Sequence, residues 1–199
     1  MALLRIFPPR WRNRRRTPVR SWLALCVLLP LLGAPDLAAQ TTRFREDQIK
    51  AVFLFNFAQF VEWPPAAFLD PQAPLVIGVL GEDPFGAALD ETVRDEKIGQ
   101  RPLVVRRYRR AEEIDQCHIL FISESETGRL EEIITRSKGR SMLTVCDTEG
   151  FAKRGVMIRL ITEKNKIRLH INLDAAKAAG LTISSKLLRP AEIVTTGKD

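Results

Sequence analysis

The side chains with the most chemical potential lie late in the chain, where Arg159, Arg168, His170 and Asn172 fall on two short alternating segments. Three donors around a histidine suit an anionic ligand such as a carboxylate or phosphate, because guanidinium groups form paired, charge-assisted hydrogen bonds. The simpler account is the water-facing side of an antiparallel strand pair, where charged residues are ordinary. Ser184-Ser185-Lys186 sets hydroxyls beside an amine. A serine–lysine nucleophile needs a pair arranged in space, however, and capping is the expected role. Cys117 and His118 are neighbours in an extended segment and point to opposite sides of it, so no zinc site is expected. The chain has no G-x-S-x-G, H-E-x-x-H or G-x-x-x-x-G-K-[ST], and Gly78, Gly81 and Gly86 do not match a dinucleotide fingerprint. The expectation is a binding protein with no catalytic residues, cofactor or metal.

The elements that must position these residues alternate along the chain. A helix is predicted from about Arg43 to Trp63, capped by Thr41 or Thr42, with Glu46 and Asp47 in its early turns and Pro64-Pro65 at its end. Its apolar positions cover more than one stripe, so most of its circumference should be buried. Phe53, Phe55, Phe57 and Phe60 read as core in preference to a partner surface. Leu75 to Leu80 is an unbroken apolar run, as a strand covered on both faces should be. Asp83 and Pro84 are expected to open a helix through Leu89 and Val93. Strands follow at Leu103–Arg107, His118–Ile122 and Met142–Val145. A helix from Glu126 to Lys138, capped by Ser125 and ended by Gly139, separates the last two.

The last third changes character. Val156, Ile158 and Leu160 alternate with Met157, Arg159 and Ile161, and Ile167, Leu169 and Ile171 alternate with Arg168, His170 and Asn172. Pairing Thr162 with Ile167 puts both apolar triplets on one face and Arg159 opposite His170. A helix is expected from Asp174 to Ala179. The fold class is therefore α/β: a single domain with a largely parallel, mixed sheet, helices on both faces and a C-terminal antiparallel hairpin. Cys117 precedes one parallel strand and Cys146 follows the next, so about 16 Å of strand separates them and no bridge is expected within the monomer.

The first 39 residues stand apart. They hold seven arginines and one acid, then an apolar run, Trp22 to Gly33, and small residues at Ala34, Ala38 and Ala39. That order predicts a signal peptide cleaved near Ala39, leaving residues 40–199 as the domain. Pro30 interrupts the run, which is too short to span a bilayer. The whole chain carries +7, and without this segment the remainder is near +1. The basicity thus belongs to the leader, and no nucleic-acid partner is expected.

Several blocks carry a resemblance. Ile49-Lys50-Ala51-Val52-Phe53-Leu54-Phe55-Asn56-Phe57-Ala58-Gln59-Phe60-Val61-Glu62-Trp63-Pro64 is similar to the opening signature of the YfiR family. Cys117 to Ile122, Leu143 to Asp147 with Gly150-Phe151-Ala152, and Ile171 to Ala176 running to Gly180–Leu188 resemble its later blocks. The resemblance implies a periplasmic regulator that binds the periplasmic part of an inner-membrane diguanylate cyclase and represses it, lowering cyclic di-GMP and biofilm formation. It also implies a homodimer. The partner surface is expected around Met157 and Ile161 on the hairpin and along the loop from Asp147 to Phe151. The alternative is a sensory module for another membrane receptor or kinase. Such a module would take a small ligand, anionic on the Arg159/His170 face, or use the Gly81–Phe85 loop, because open α/β sheets bind ligands at strand ends.

Overall fold

The computed structural model describes residues 37–164, 166–195 and 197, and most of the expected leader lies outside the described residues. Five parallel strands form the centre of an eight-stranded sheet: β2 (Leu75–Leu80), β4 (Arg101–Tyr108), β5 (Ile119–Ile122), β6 (Leu143–Cys146) and β7 (Ile158–Glu163). The spatial order is β10-β8-β7-β6-β5-β2-β4-β3, with β3 (Lys97–Ile98), β8 (Lys166–Asn172) and β10 (Glu192–Val194) completing it. Every residue of β2, β5 and β6 is buried, as their continuous apolar runs require of strands covered on both sides.

Helices cover both faces. On one, α1 (Leu37–Phe60) contributes Ala51, Leu54, Phe57 and Ala58 to a core that also holds Leu89 and Val93 of α2 (Ala87–Val93) and Ala176 of α4 (Leu173–Ala178). On the other, Leu130 and Ile133 of α3 (Leu130–Ser137) pack with Leu120, Ile122, Cys146, Phe151 and Val156. α1 is less fully buried than its composition predicts, since Ile49 and Val52 remain 46% and 45% exposed. It also ends three residues early. Val61–Glu62 is a short strand, β1, antiparallel to β9 (Thr182–Ile183), and the Phe60 carbonyl accepts from the Ser184 N–H. Thr41 and Thr42 lie within α1, not at its cap.

The hairpin forms in the expected register: Thr162 pairs with Ile167 and Arg159 with His170, around a turn in which Lys164 takes φ 49°. Two features depart from expectation. Val156 belongs to the opposite core from Ile158 and Leu160, because it precedes the pleat and arrives from the 3-10 turn at Ala152–Arg154. The outer edge of β8 is not free: β10 pairs with it in parallel, Glu192 beside His170. The chain reaches that edge through α4, β9 and α5 (Ser185–Leu188).

Cys117 and Cys146 are both free and buried. The parallel register of β5 and β6 sets Cys146 level with Ile122, a whole strand away from Cys117, as the sequence argument requires. Burial pushes both thiols up to about 12.

Candidate functional site

The outer face of the hairpin brings together only part of the predicted cluster. Arg159 and His170 share a cleft of about 410 Å³ with Glu149, Lys153 and Glu192. His170 Nε2 lies 3.1 Å from Glu192 Oε2, so the edge strand supplies a carboxylate where an anionic ligand would need none. Arg168 shares that face but does not line the cleft, and it pairs with Glu163 at 3.0 Å with both side chains exposed. Asn172 is not on this surface at all. It is fully buried, and its Oδ1 caps α4 by accepting from the Ala175 N–H at 3.0 Å. Alternation placed it outside, but the chain turns into a helix there and the side chain folds back on the first turn.

The expected partner patch is largely core. Met157 is 6% exposed, and its backbone N–H donates to Thr144 Oγ1 while its carbonyl accepts from Asn172. Phe151 is 1% exposed and packs beneath the sheet with Val156. Both precede β7, where period-two alternation has not begun, so parity does not apply to them. Ile161 is half-buried opposite Arg168, and Asp147 is bound to Lys50. Ser184, as expected, caps a helix: its Oγ accepts from the Lys186 N–H at the start of α5.

A second site lies where β2, β5 and β6 end. The residues that follow them, Glu82–Pro84, Ser123–Ser125 and Asp147, rim a crevice of about 750 Å³, and Arg43, Glu46, Asp47 and Lys50 of α1 overhang it. β2 is flanked by β4 on one side and β5 on the other, so the chain runs from β2 outward to β4 and then crosses back over β2 to β5, reversing the strand order here. Open α/β sheets bind ligands at such a switch point, outside the carboxyl ends of the strands. Gly81 keeps the rim tight. Its φ is +89°, and a Cβ there would collide with Ser125 Oγ, which accepts from the Glu82 N–H at 3.0 Å. Asp83 does not cap α2. Its Oδ1 accepts from the Phe85 N–H, Arg107 binds its other oxygen, and α2 begins later, after Gly86.

The crevice is held by a buried cation. Lys50 Nζ lies 2.6 Å from Glu46 Oε1 and 2.7 Å from Asp147 Oδ2, with its side chain 7% exposed. Burial works against the charge on Lys50, but the hydrogen bonds to Asp147 and Glu46 outweigh it and raise its pKa. Burial likewise opposes ionisation of Glu46, yet the bonds from Lys50 and Thr162 hold it below the usual carboxylate range. Asp47 behaves differently. Burial raises its pKa, Lys50 relieves this in part, and the charges of Glu46 and Asp147 add to it. Lys50 and Asp147 are 97 residues apart, and nothing local in the sequence joins them. The available signal was an acid placed directly after a buried parallel strand.

At the other end of β5, His118 pins the segment that follows α1. Its Nδ1 accepts from the Val76 N–H at 3.0 Å, which leaves Nε2 to donate to the Ala67 carbonyl at 3.2 Å. Phe68 stacks on the ring at 4.4 Å, and burial lowers its pKa. Among the described residues no group of three or more His, Cys, Asp or Glu could hold a metal ion, and no helix is long and apolar enough to cross a membrane.

Fold and site define a doubly wound α/β domain whose polar groups converge at the strand ends. A family model described as YfiR/HmsC-like matches residues 47–192, from α1 to β10, and the chain belongs to that family. Among solved structures, a conserved domain protein from Vibrio cholerae O1 biovar eltor str. N16961 is similar at 14% identity and a TM-score of 0.45. The match covers 59% of this chain and 54% of that one, so the chain spans about half the length of that structure. No curated protein matches the chain.

Proposed function

We propose that the protein is a periplasmic regulator that binds the periplasmic part of an inner-membrane diguanylate cyclase and holds it inactive, lowering cyclic di-GMP and biofilm formation. The observation that carries this reading is the family match across nearly the whole domain. Export by a signal peptide cleaved near Ala39 and assembly as a homodimer belong to the same reading. A periplasmic protein cannot touch a cytosolic active site, so it must bind one state of the membrane protein better than another. If the states start nearly balanced, a preference of about 3 kcal/mol suffices, since 1.4 kcal/mol is tenfold.

The surface that suits this role is on α1, not the hairpin. Ile49 and Val52 are exposed, and the half-buried Phe53 and Phe60 continue the same stripe at helical spacing. Few large apolar side chains elsewhere among the described residues are as open, Leu69 and Ile193 being the others. Deleting the gene should raise cellular cyclic di-GMP in a strain with an active partner cyclase. Val52→Asp should reproduce the rise while the purified protein keeps its wild-type circular dichroism. Unchanged cyclic di-GMP in the deletion strain would refute repression. A rise in the deletion but not in Val52→Asp would move the contact away from α1.

A further inference from the structure

The segment that leaves α1 is tied by hydrogen bonds to the rest of the fold at two points only. Between Pro64 and Ala73 the backbone bonds within itself, Ala67 to Pro64, Phe68 to Pro65 and Ala73 to Asp70. Among the described residues, two outside side chains do the rest. Arg101 of β4 donates to the Asp70 and Ala73 carbonyls at 2.8 and 2.9 Å, and its guanidinium lies 3.7 Å from the centre of the Phe68 ring. His118 donates from Nε2 to the Ala67 carbonyl and stacks on the same Phe68. Arg101 stays charged at any ordinary pH, whereas a histidine can change its charge.

The geometry around His118 accepts only the neutral ring. His118 is 3% exposed, and its Nδ1 takes a hydrogen bond from the Val76 N–H at 3.0 Å, so Nδ1 carries no proton. A proton there turns an acceptor into a donor, sets two N–H groups against each other and leaves a cation in a buried place. No carboxylate pairs with the ring among the described residues. β2 and β6 carry no acidic side chain, and the neighbouring Cys117 packs in the opposite core. Asp70 turns its side chain to the Gln72 N–H, Asp115 pairs with Arg106, and Arg140 donates to the Ile114 carbonyl. Burial lowers the pKa of His118 from its ordinary 6.5, the bond to Ala67 opposes this in part, and the charge of Arg101 adds to the lowering.

We propose that His118 is an acid-released latch, whose protonation frees residues 65–69 from the start of β2 and β5 while Arg101 keeps the far end of the segment in place. A ring that takes up the proton must leave the Val76 N–H, and the Ala67 bond and the Phe68 stack go with it. Trp63, whose Nε1 donates to the His118 carbonyl at 3.2 Å and whose ring meets the imidazole edge-on, loses that wall. A base held below its ordinary value keeps the latch complete above pH 6.5, and the latch weakens as pH falls from there to the folded value. Each pH unit inside that window moves the balance toward release by up to about tenfold. The segment is continuous with α1 and its exposed stripe. Any effect of release on repression rests on the proposed function, but release itself does not.

The test is hydrogen–deuterium exchange of the purified full chain from about pH 8 to about pH 5, corrected for the intrinsic rate, beside ring NMR of His118. The chain has two histidines, so His170→Gln assigns the His118 signal. Exchange of residues 64–76 should rise as pH falls, with the midpoint of the His118 titration, while β5 and β6 stay protected. His118→Gln should abolish that dependence. Equal exchange of the segment at both ends of the range overturns the proposal. So does a rise that β5 and β6 share, which marks general acid unfolding, or a midpoint apart from that of the ring. A dependence that persists in His118→Gln overturns it as well, and the wild-type measurements decide even where that variant fails to fold. Neither measurement involves a cyclase, so its failure leaves the deletion-strain result standing.

Discussion

The hairpin and the crevice carry similar numbers of charged groups but use them in opposite ways. On the hairpin, Arg168 meets Glu163 on the neighbouring strand and His170 meets Glu192 on the edge strand, with most of these side chains open to water. In the crevice, Lys50 is 7% exposed and joins α1 to the end of β6 across 97 residues. Water screens the first set and competes for each partner, so its members are nearly independent of the fold. The second set is desolvated, and its charges are tolerable only because they meet. Charge on a surface therefore describes solubility, while charge under a helix reports how elements are locked together.

The largest effect should come from breaking that lock. Lys50→Met leaves Glu46 and Asp147 facing each other without a cation, and should cost about 2 to 4 kcal/mol in urea denaturation. Lys50→Met with Asp147→Leu should recover part of the loss, which distinguishes an uncompensated charge from lost packing. The pH profile carries a sign. The pKa of Glu46 is depressed by the fold, so its contribution is complete above its ordinary value near 4.5 and is lost as pH falls through the lower folded value. Asp47, shifted upward, acts in the opposite direction. Lys50→Met should flatten the acid limb that Glu46 produces.

An intermediate effect belongs to the hairpin's last residue. Asn172→Ala removes the α4 cap from a fully buried position and should cost about 1 to 2 kcal/mol, while Asn172→Asp should retain part of the bond. Faster amide exchange at Ala175 would locate the damage. The smallest effect should be Arg168→Ala, within about 0.5 kcal/mol of wild type and smaller still at high salt. A loss comparable to that of Lys50→Met would contradict the contrast between the two regions.

Much of the fold was legible, and the reasons are local. The hairpin register followed from period-two alternation, since a slip of one residue would turn Ile158, Leu160, Leu169 and Ile171 toward water. The parallel centre followed from apolar runs too continuous to have a wet face. The same alternation failed for Met157 and Asn172, one before the pleat begins and the other where it becomes a helix. Phe151 failed because a loop residue carries no periodicity to read.

What the sequence determined by itself was therefore the fully covered strands, the partner of Thr162 and the separation of Cys117 from Cys146. These follow from side-chain periodicity, which depends on backbone geometry within a few residues. Only the tertiary structure decided that β10 covers the hairpin edge, that Val61–Glu62 leaves α1 to pair with β9, and that Lys50 meets Asp147. Each of these joins segments far apart in the chain. Their pairing is selected by the hydrogen bonds and charges left unsatisfied once the two cores have closed, and no local pattern records that remainder.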